Sequence, residues 1–430
     1  MDIEAILEKQ QRYMWGQSNF YRQPISMARG EGLYMWDITG KKYLDFFGGI
    51  LSVSCGHCHP KVTEAIVNQV KTLVQCSSVY PHVNAVTYAE KLAEITPPGL
   101  THSYFGLTGT EAVENAIKLA VQATGNTEII AIRGCYHGLS ALCMNLTAAP
   151  GWRGRMQVPG IRHALQPNCY RCALHLTYPS CGLQCAHDVE DIIRNTTTGR
   201  IAAFIGEPVF GVSGLITPPR EYYKIVVDIA HRYGGLFIAD EVQTMFGRTG
   251  AYWYGCAHFD VVPDIMPCGK SIASGMPLSA TVTTPEIAQA LDVAVISTFQ
   301  QHPVSMAAAL ATLEVLKEEA PPSHVAEIGA HIRRGLLDLA AKYPIVGDVR
   351  GLGCMQGMEL VRDPVTKEPA IEEMTELFEE TRERGLLIGK GGVGNAFRFT
   401  PPLVVQKEHV DRALDILDAS IAAVMEKFSL

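Results

Sequence analysis

Residues 236–243 read Leu236-Phe237-Ile238-Ala239-Asp240-Glu241-Val242-Gln243, and this stretch decides how the rest of the chain is read. The apolar run after Gly234-Gly235 is what a strand buried on both faces of a parallel sheet requires. The carboxylates of Asp240 and Glu241 then fall at its carboxyl end, where open α/β sheets bind ligands. Lys270 comes 30 residues after Asp240, in the Gly- and Ser-flanked segment Cys268-Gly269-Lys270-Ser271, ahead of another apolar run, Leu278 to Val282. A carboxylate at a strand end and a lysine on a later turn suit pyridoxal phosphate, which takes a lysine for its Schiff base and an acid at its ring nitrogen. Taken alone, the same residues also fit a solvated turn and a surface lysine.

The pattern continues outward. Apolar runs at Ile129–Ile132, Ile201–Ile205 and Ser279–Val282 alternate with helical patterns. Glu111–Ala123 puts Val113, Ala116, Ile117 and Ala120 on one face, and Glu221–Arg232 is a second such segment. That alternation predicts an α/β fold, a mostly parallel sheet with helices on both sides. Residues 1–30 read as an amphipathic helix followed by a loose segment containing Pro24, and Gly32–Asp45 as a hairpin. The glycines of Phe46–Pro60 suggest backbone close to a ligand. Pro60 starts a helix carrying Val62, Ile66, Val67 and Val70. After Pro303 long helices dominate, ending at Glu408–Phe428 with Val410, Leu414, Leu417, Ile421 and Val424 on one face. The expected division is an N-terminal segment 1–50 that joins a C-terminal small domain 311–430, around a large domain 51–310.

Composition narrows the function classes. The 430 residues are 47% hydrophobic and 19% charged, ordinary values for a globular enzyme. A net charge of −8 argues against nucleic acid or an anionic membrane as partner. No apolar run approaches the ~20 residues of a membrane span. The first residues show neither signal-peptide nor transit character, so a cytoplasmic location is the default. The 12 cysteines are then expected to be reduced and mostly buried.

Two further segments carry chemistry. Gly109-Thr110 opens the Glu111 helix, where free N–H groups and the helix dipole favour a phosphate, although a plain threonine cap accounts for the same residues. Cys169, Cys172, Cys181 and Cys185 lie within one insert-like stretch, a spacing compatible with zinc but lacking a second Cys-x-x-Cys.

DEVQTMFGRTG (240–250), PDIMPCGKSIASGMPLSA (263–280) and STFQQHP (297–303) resemble class III (omega-type) aminotransferases in order and spacing. VTTPEIA (282–288) and GLLIGKGGVGNAFRFTPPL (385–403) resemble, within that class, the alanine–glyoxylate aminotransferase 2-like enzymes. The resemblance runs from about Gly30 to the C-terminal helix. It implies the pyridoxal-phosphate-dependent transferase fold type I, with a mostly parallel seven-stranded sheet in a large domain and a smaller α+β domain built from both chain ends. It also implies a homodimer, with a tetramer left open, whose sites lie at the interface. The implied reaction is that of an omega-transaminase. An amino group passes from alanine, an omega- or beta-amino acid, or an amine to pyruvate or glyoxylate, by a ping-pong route through a Lys270 aldimine.

The resemblance assigns roles residue by residue. Lys270, Asp240 and Tyr136 are the catalytic set, with Lys270 also shuttling the proton. Tyr136 and His137, in Tyr136-His137-Gly138, are cofactor-binding residues, Tyr136 stacking on the ring; Val242 covers its other face, and Gln243 approaches its hydroxyl. Gly109 and Thr110 hold the phosphate, and Thr298 reaches the phosphate of the neighbouring subunit. Arg398 holds the substrate carboxylate, for which a guanidinium fork is well shaped. Glu207 pairs with Arg398 when no carboxylate is present, and Ile50 lies at the substrate. No metal is implied. The chain departs from the family pattern at Leu107 and Thr108, where Asn and Ser are usual, and at Gln300, Gln301 and His302, where Gly-Gly-Asn is usual. ITPPGL (95–100) and Phe46–Pro60 also resemble dialkylglycine decarboxylase, but that enzyme has a carboxylate-binding Gln where this chain has Ile50. A decarboxylase of that type, or an amino lyase on the same scaffold, is the rival reading.

Overall fold

The computed structural model describes residues 2–16, 19–149 and 151–429. Its centre is a seven-stranded sheet in the spatial order His102–Gly106, Ser279–Thr283, Ile265–Cys268, Leu236–Ala239, Ala203–Gly206, Ile129–Ile132, Ile161–Ala164. Ser279–Thr283 runs antiparallel to both neighbours, and the remaining pairs are parallel. The inner strands Ile129–Ile132 and Ala203–Gly206 are buried along their whole length, which is why they read as continuous apolar runs. The run at Ile201 enters the sheet two residues late, at Ala203.

Both edge strands escaped the sequence reading. Ile161–Ala164 carries Arg162 and His163 and is only partly covered. His102–Gly106 opens with an exposed histidine. Edges need no uninterrupted apolar run, so the pattern that marks central strands is missing there.

The helix Gly109–Thr124 lays Val113, Ala116, Ile117 and Ala120 on the sheet, as its spacing predicts. The helix Pro60–Thr72 also forms, but only part of its apolar set is core: Val62 is buried and Ile66 packs beside it, whereas Val67 is 43% and Val70 49% exposed.

Two smaller four-stranded sheets flank the large one. Met27–Glu31, Tyr34–Asp37 and Lys42–Asp45 form a meander, and Leu386–Leu387 adds to it in parallel beside Lys42–Asp45. Met27–Glu31 lies in the stretch expected to be loose. The other sheet comprises Val346–Leu352, Met355–Leu360, Ala396–Phe399 and Gly389–Gly391. Between the meander and the helix at Pro60 the chain makes a left-handed turn: Gly48, Gly49, Ile50 and Leu51 have φ of 59°, 59°, 63° and 63°. Glycine takes this conformation freely, whereas each L-residue in it costs roughly 1–2 kcal/mol. Asp45 braces the turn by accepting the N–H groups of Phe47 and Gly48, each at 2.9 Å. Among the described residues no helix is long and apolar enough to cross a membrane.

Candidate active site

Asp240 leaves the end of its strand with its N–H donated to the Gly206 carbonyl at 2.9 Å. Its carboxylate is buried, with one protein partner at each oxygen. Oδ2 lies 2.6 Å from Nδ1 of His137, and Oδ1 accepts the Val242 N–H at 3.1 Å. His137 is fixed in turn by its own N–H, which donates to Thr147 Oγ1 at 2.9 Å. This pairing gives His137 a definite job: it orients Asp240.

Gly109, Val242 and Gly269 meet at one point. A Cβ on Gly109 would sit 2.8 Å from Cγ1 of Val242, and Gly269 packs against the same methyl and against Gly109. Glycine at 109 is therefore what lets the helix start approach the Asp240 strand and the turn that carries Lys270. The cap of that helix is Thr108. Its hydroxyl accepts the Glu111 N–H at 3.2 Å, and the Glu111 carboxylate accepts the Thr108 N–H at 3.0 Å. Thr108 thus spends its side chain on a capping box. The first intrahelical bond is donated by Ala112, leaving the N–H groups of Gly109 and Thr110 ahead of it. Thr110 Oγ1 also accepts the Leu139 N–H at 3.2 Å, closing the helix start onto the Tyr136-His137-Gly138 turn.

Lys270 has φ of 47°, a left-handed conformation uncommon for a non-glycine residue and typical of strain held at a site. Burial lowers the pKa of its amine, and the Arg398 charge lowers it further, against the pull of Asp240 and Glu207. The four groups therefore share one electrostatic neighbourhood.

Glu207 is buried beneath this cluster. Its Oε1 accepts the Tyr136 N–H at 2.8 Å, and its Oε2 accepts the Gly211 N–H at 3.1 Å and the Gln243 amide at 3.0 Å. Burial raises its pKa to about 7, with Asp240 adding to the rise and His137 opposing it. Arg398 sits on strand Ala396–Phe399 with its guanidinium 5.3 Å from the centre of the Phe47 ring. Burial pulls its pKa down to about 10, and its Nε is buried without a hydrogen-bond partner. No ion pair joins Glu207 to Arg398 among the described residues. Three other donors hold the Glu207 carboxylate, so the direct pairing expected from the resemblance is absent from this arrangement.

Tyr136 is half-buried and meets Trp152 edge-on, ring centres 5.2 Å apart. Ile50 is 47% exposed at the crest of the left-handed turn, whose Leu51 carbonyl accepts from the hydroxyl of Ser271, next to Lys270, at 3.0 Å. Thr298 is exposed in the 290–302 segment, where its carbonyl accepts from the Gln75 amide. No hydrogen bond joins Thr298 to this chain's own Lys270 or Asp240. The sequence reading missed Phe47 and Trp152. Phe47 lies in the glycine-rich stretch already singled out; Trp152 carried no signal.

Two observations test whether pyridoxal phosphate fits. Gln243 Oε1 is buried with no partner, so it can accept a hydrogen bond from a ring hydroxyl. The bare Gly109–Thr110 start presents two N–H groups to a phosphate. Both agree with the cofactor's donors and acceptors.

The four cysteines of the insert gather around a cavity of about 20 Å³. All are free thiols, and burial raises the pKa of Cys185 to about 11, the neighbouring thiols adding to the rise. Among the described residues no group of three or more Cys, His, Asp or Glu has the geometry to hold a metal ion.

The chain belongs to the class III aminotransferases, whose family model matches residues 17–421. It is 40% identical to the mitochondrial alanine–glyoxylate aminotransferase 2 homolog 2 of Arabidopsis thaliana, over 97% of this chain and 87% of the relative. It is 36% identical to isoleucine 2-epimerase of Lentilactobacillus buchneri, over 94% of this chain and 91% of that one. A pyridoxal-phosphate-bound amine transaminase from an uncultivated Pseudomonas species superposes with a TM-score of 0.89 at 30% identity, covering 95% of this chain and 97% of the other. The protein is thus a class III, pyridoxal-phosphate-dependent aminotransferase with the fold that its sequence predicts.

Proposed function

We propose that the protein transfers an amino group from alanine, an omega- or beta-amino acid, or an amine to pyruvate or glyoxylate, in two half-reactions of a ping-pong cycle. The observation that carries this reading is the contact of Gly109, Val242 and Gly269, which brings the helix start, the end of the Asp240 strand and the Lys270 turn together, with Asp240, Glu207 and Arg398 all buried. The bound cofactor supplies an electron sink for the charge released at the substrate carbon. Asp240, oriented by His137, holds the proton at the ring nitrogen. Tyr136 and Val242 cover the two ring faces, Gln243 accepts from the ring hydroxyl, and Gly109 and Thr110 hold the phosphate. Burial lowers the pKa of the Lys270 amine, the direction that suits a general base moving the substrate proton. Arg398 grips the carboxylate of the keto acid, and Ile50 forms part of the pocket wall.

A homodimer is part of this reading. Val67, Val70, Leu73, Val74 and Val86 are exposed, as are Ile296 and Phe299 in the segment beside Thr298. So much apolar surface on neighbouring segments, tied by the Gln75–Thr298 bond, fits a self-association face. Thr298 would then serve the cofactor phosphate of the partner.

A panel of amino donors, each paired with pyruvate and with glyoxylate, tests the reaction. Keto-acid-dependent loss of donor amine is expected, and CO2 release or ammonia release without transfer would instead identify a decarboxylase or a lyase. The epimerase relative favours a second reading, in which the proton returns to the carbon it left. Scrambling of isoleucine stereochemistry without any keto acid would select it.

A further inference from the structure

A cavity of about 300 Å³ lies beside the site and takes no part in the roles above. Its wall includes Trp152, which packs on Tyr136, and Ser213, two residues beyond the Gly211 that donates to Glu207. Its polar lining is dominated by donors. Nη2 of Arg171 and Nε2 of Gln166 are buried with no hydrogen-bond partner. Arg133 also lines the cavity and makes no ion pair among the described residues.

The acidic group present is already committed. Glu359 takes Arg171 Nε at 2.5 Å, Arg350 Nη1 at 2.7 Å and the Asn395 amide at 3.3 Å. Arg350 in turn bonds Asp348 at 2.7 Å. Within this network the charges of Arg171 and Arg350 cancel those of Glu359 and Asp348, and the Arg133 guanidinium is the surplus. Buried donors without acceptors are uncommon in folded proteins and mark a place for a missing partner. A guanidinium fork prefers a carboxylate or a phosphate as that partner.

We propose that this cavity binds the oxyanion end of a small molecule, a carboxylate or a phosphate ester, held by Arg133, Gln166 and Arg171. Trp152 forms one wall and meets Tyr136 edge-on. On the proposed transaminase reading the anion is the distal end of an amino donor, so donors that are negatively charged at both ends gain an extra hold. A separate small anion bound at the same donors uses the same chemistry.

Titration calorimetry of the cofactor-loaded protein with inorganic phosphate and with succinate, at constant ionic strength, tests the site without turnover. Saturable binding of at least one probe is expected, weakened at least tenfold (about 1.4 kcal/mol) by Arg133→Gln and by Gln166→Leu, and unchanged by Arg412→Gln on the C-terminal helix. Val393→Glu, at an exposed position on the cavity rim, keeps the test open if either of the first two variants fails to fold, and it too must weaken the probe. Competition of the bound probe with a dicarboxylic donor assigns the site to the substrate tail. Inhibition that leaves the donor KM unchanged assigns it to a separate anion. Absence of saturable binding, or equal binding by the Arg133 and Val393 variants, overturns the site whether or not the transaminase reading stands.

Discussion

His137 Nδ1 and Asp240 Oδ2 lie 2.6 Å apart, and neither side chain is open to solvent. The imidazole can donate one hydrogen bond to that oxygen, which leaves Asp240 a fixed direction in which to face the ring nitrogen. His137→Ala is expected to lower the rate of the donor half-reaction by roughly 10–100-fold, since a hydrogen bond to a charged group is worth about 1.5–3 kcal/mol. His137→Asn, whose amide can still donate, is expected to recover part of it. Stopped-flow measurement of the half-reaction decides the matter. Equal losses in both variants would show that the imidazole fills space and does not aim the carboxylate.

Asp240→Asn should keep cofactor binding detectable while removing most activity. An amide cannot hold the ring-nitrogen proton, and losing about 3 kcal/mol at the transition state is over a hundredfold in rate. Turnover near that of the parent would mean that a different residue faces the ring nitrogen.

Glu207 makes stability depend on pH in a definite direction. Its folded-state pKa is raised from 4.5 to about 7, so between those values the folded protein keeps a proton that the unfolded chain has lost. Stability therefore falls as pH rises through this window, by at most on the order of 3 kcal/mol from this group. Denaturant unfolding of the parent and of Glu207→Gln at pH 4.5 and 7.5 should show a shallower fall in the variant. Identical slopes would place the carboxyl's ionisation outside this window.

Arg398→Ala should raise the apparent KM for pyruvate or glyoxylate by more than tenfold. Removing one partner of a buried charged pair costs about 2–5 kcal/mol. An amine donor without a carboxylate should be affected far less. Steady-state kinetics with both substrates separates the cases, and equal loss on both would make Arg398 a structural residue.

Thr298 is exposed in the single chain and makes no hydrogen bond to its own Lys270. Mixing Lys270→Ala chains with Thr298→Ala chains should restore partial activity, because one of the two mixed sites regains both residues. A stable, fully active monomer in sedimentation would remove Thr298 from the site.

Much of this was legible in the chain itself, for physical reasons. Inner strands such as Leu236–Ala239 announce themselves because burial on two faces demands an unbroken apolar run. Asp240 and Lys270 stand out because strand ends and tight turns are where chemistry is placed. The rest depended on distance in space. His137 and Asp240 are 103 residues apart, and nothing local says that the imidazole serves the carboxylate. Gly48-Gly49 hinted at unusual backbone, but that Ile50 and Leu51 continue the left-handed turn follows from what surrounds them. The helix Pro60–Thr72 with Val62, Ile66, Val67 and Val70 is legible from its spacing, but periodicity is silent on whether the same chain covers that face.

The parallel pairing of Leu386–Leu387 with Lys42–Asp45 has a consequence for how the molecule is born. The meander is made before the strand that completes its edge, which comes 341 residues after Asp45. At synthesis rates of roughly 5–20 residues per second, that edge waits about 20–70 s with its backbone groups unpaired. A nascent chain in this state is a natural client for chaperones, and its yield in cells should respond to translation speed more than its final stability would suggest.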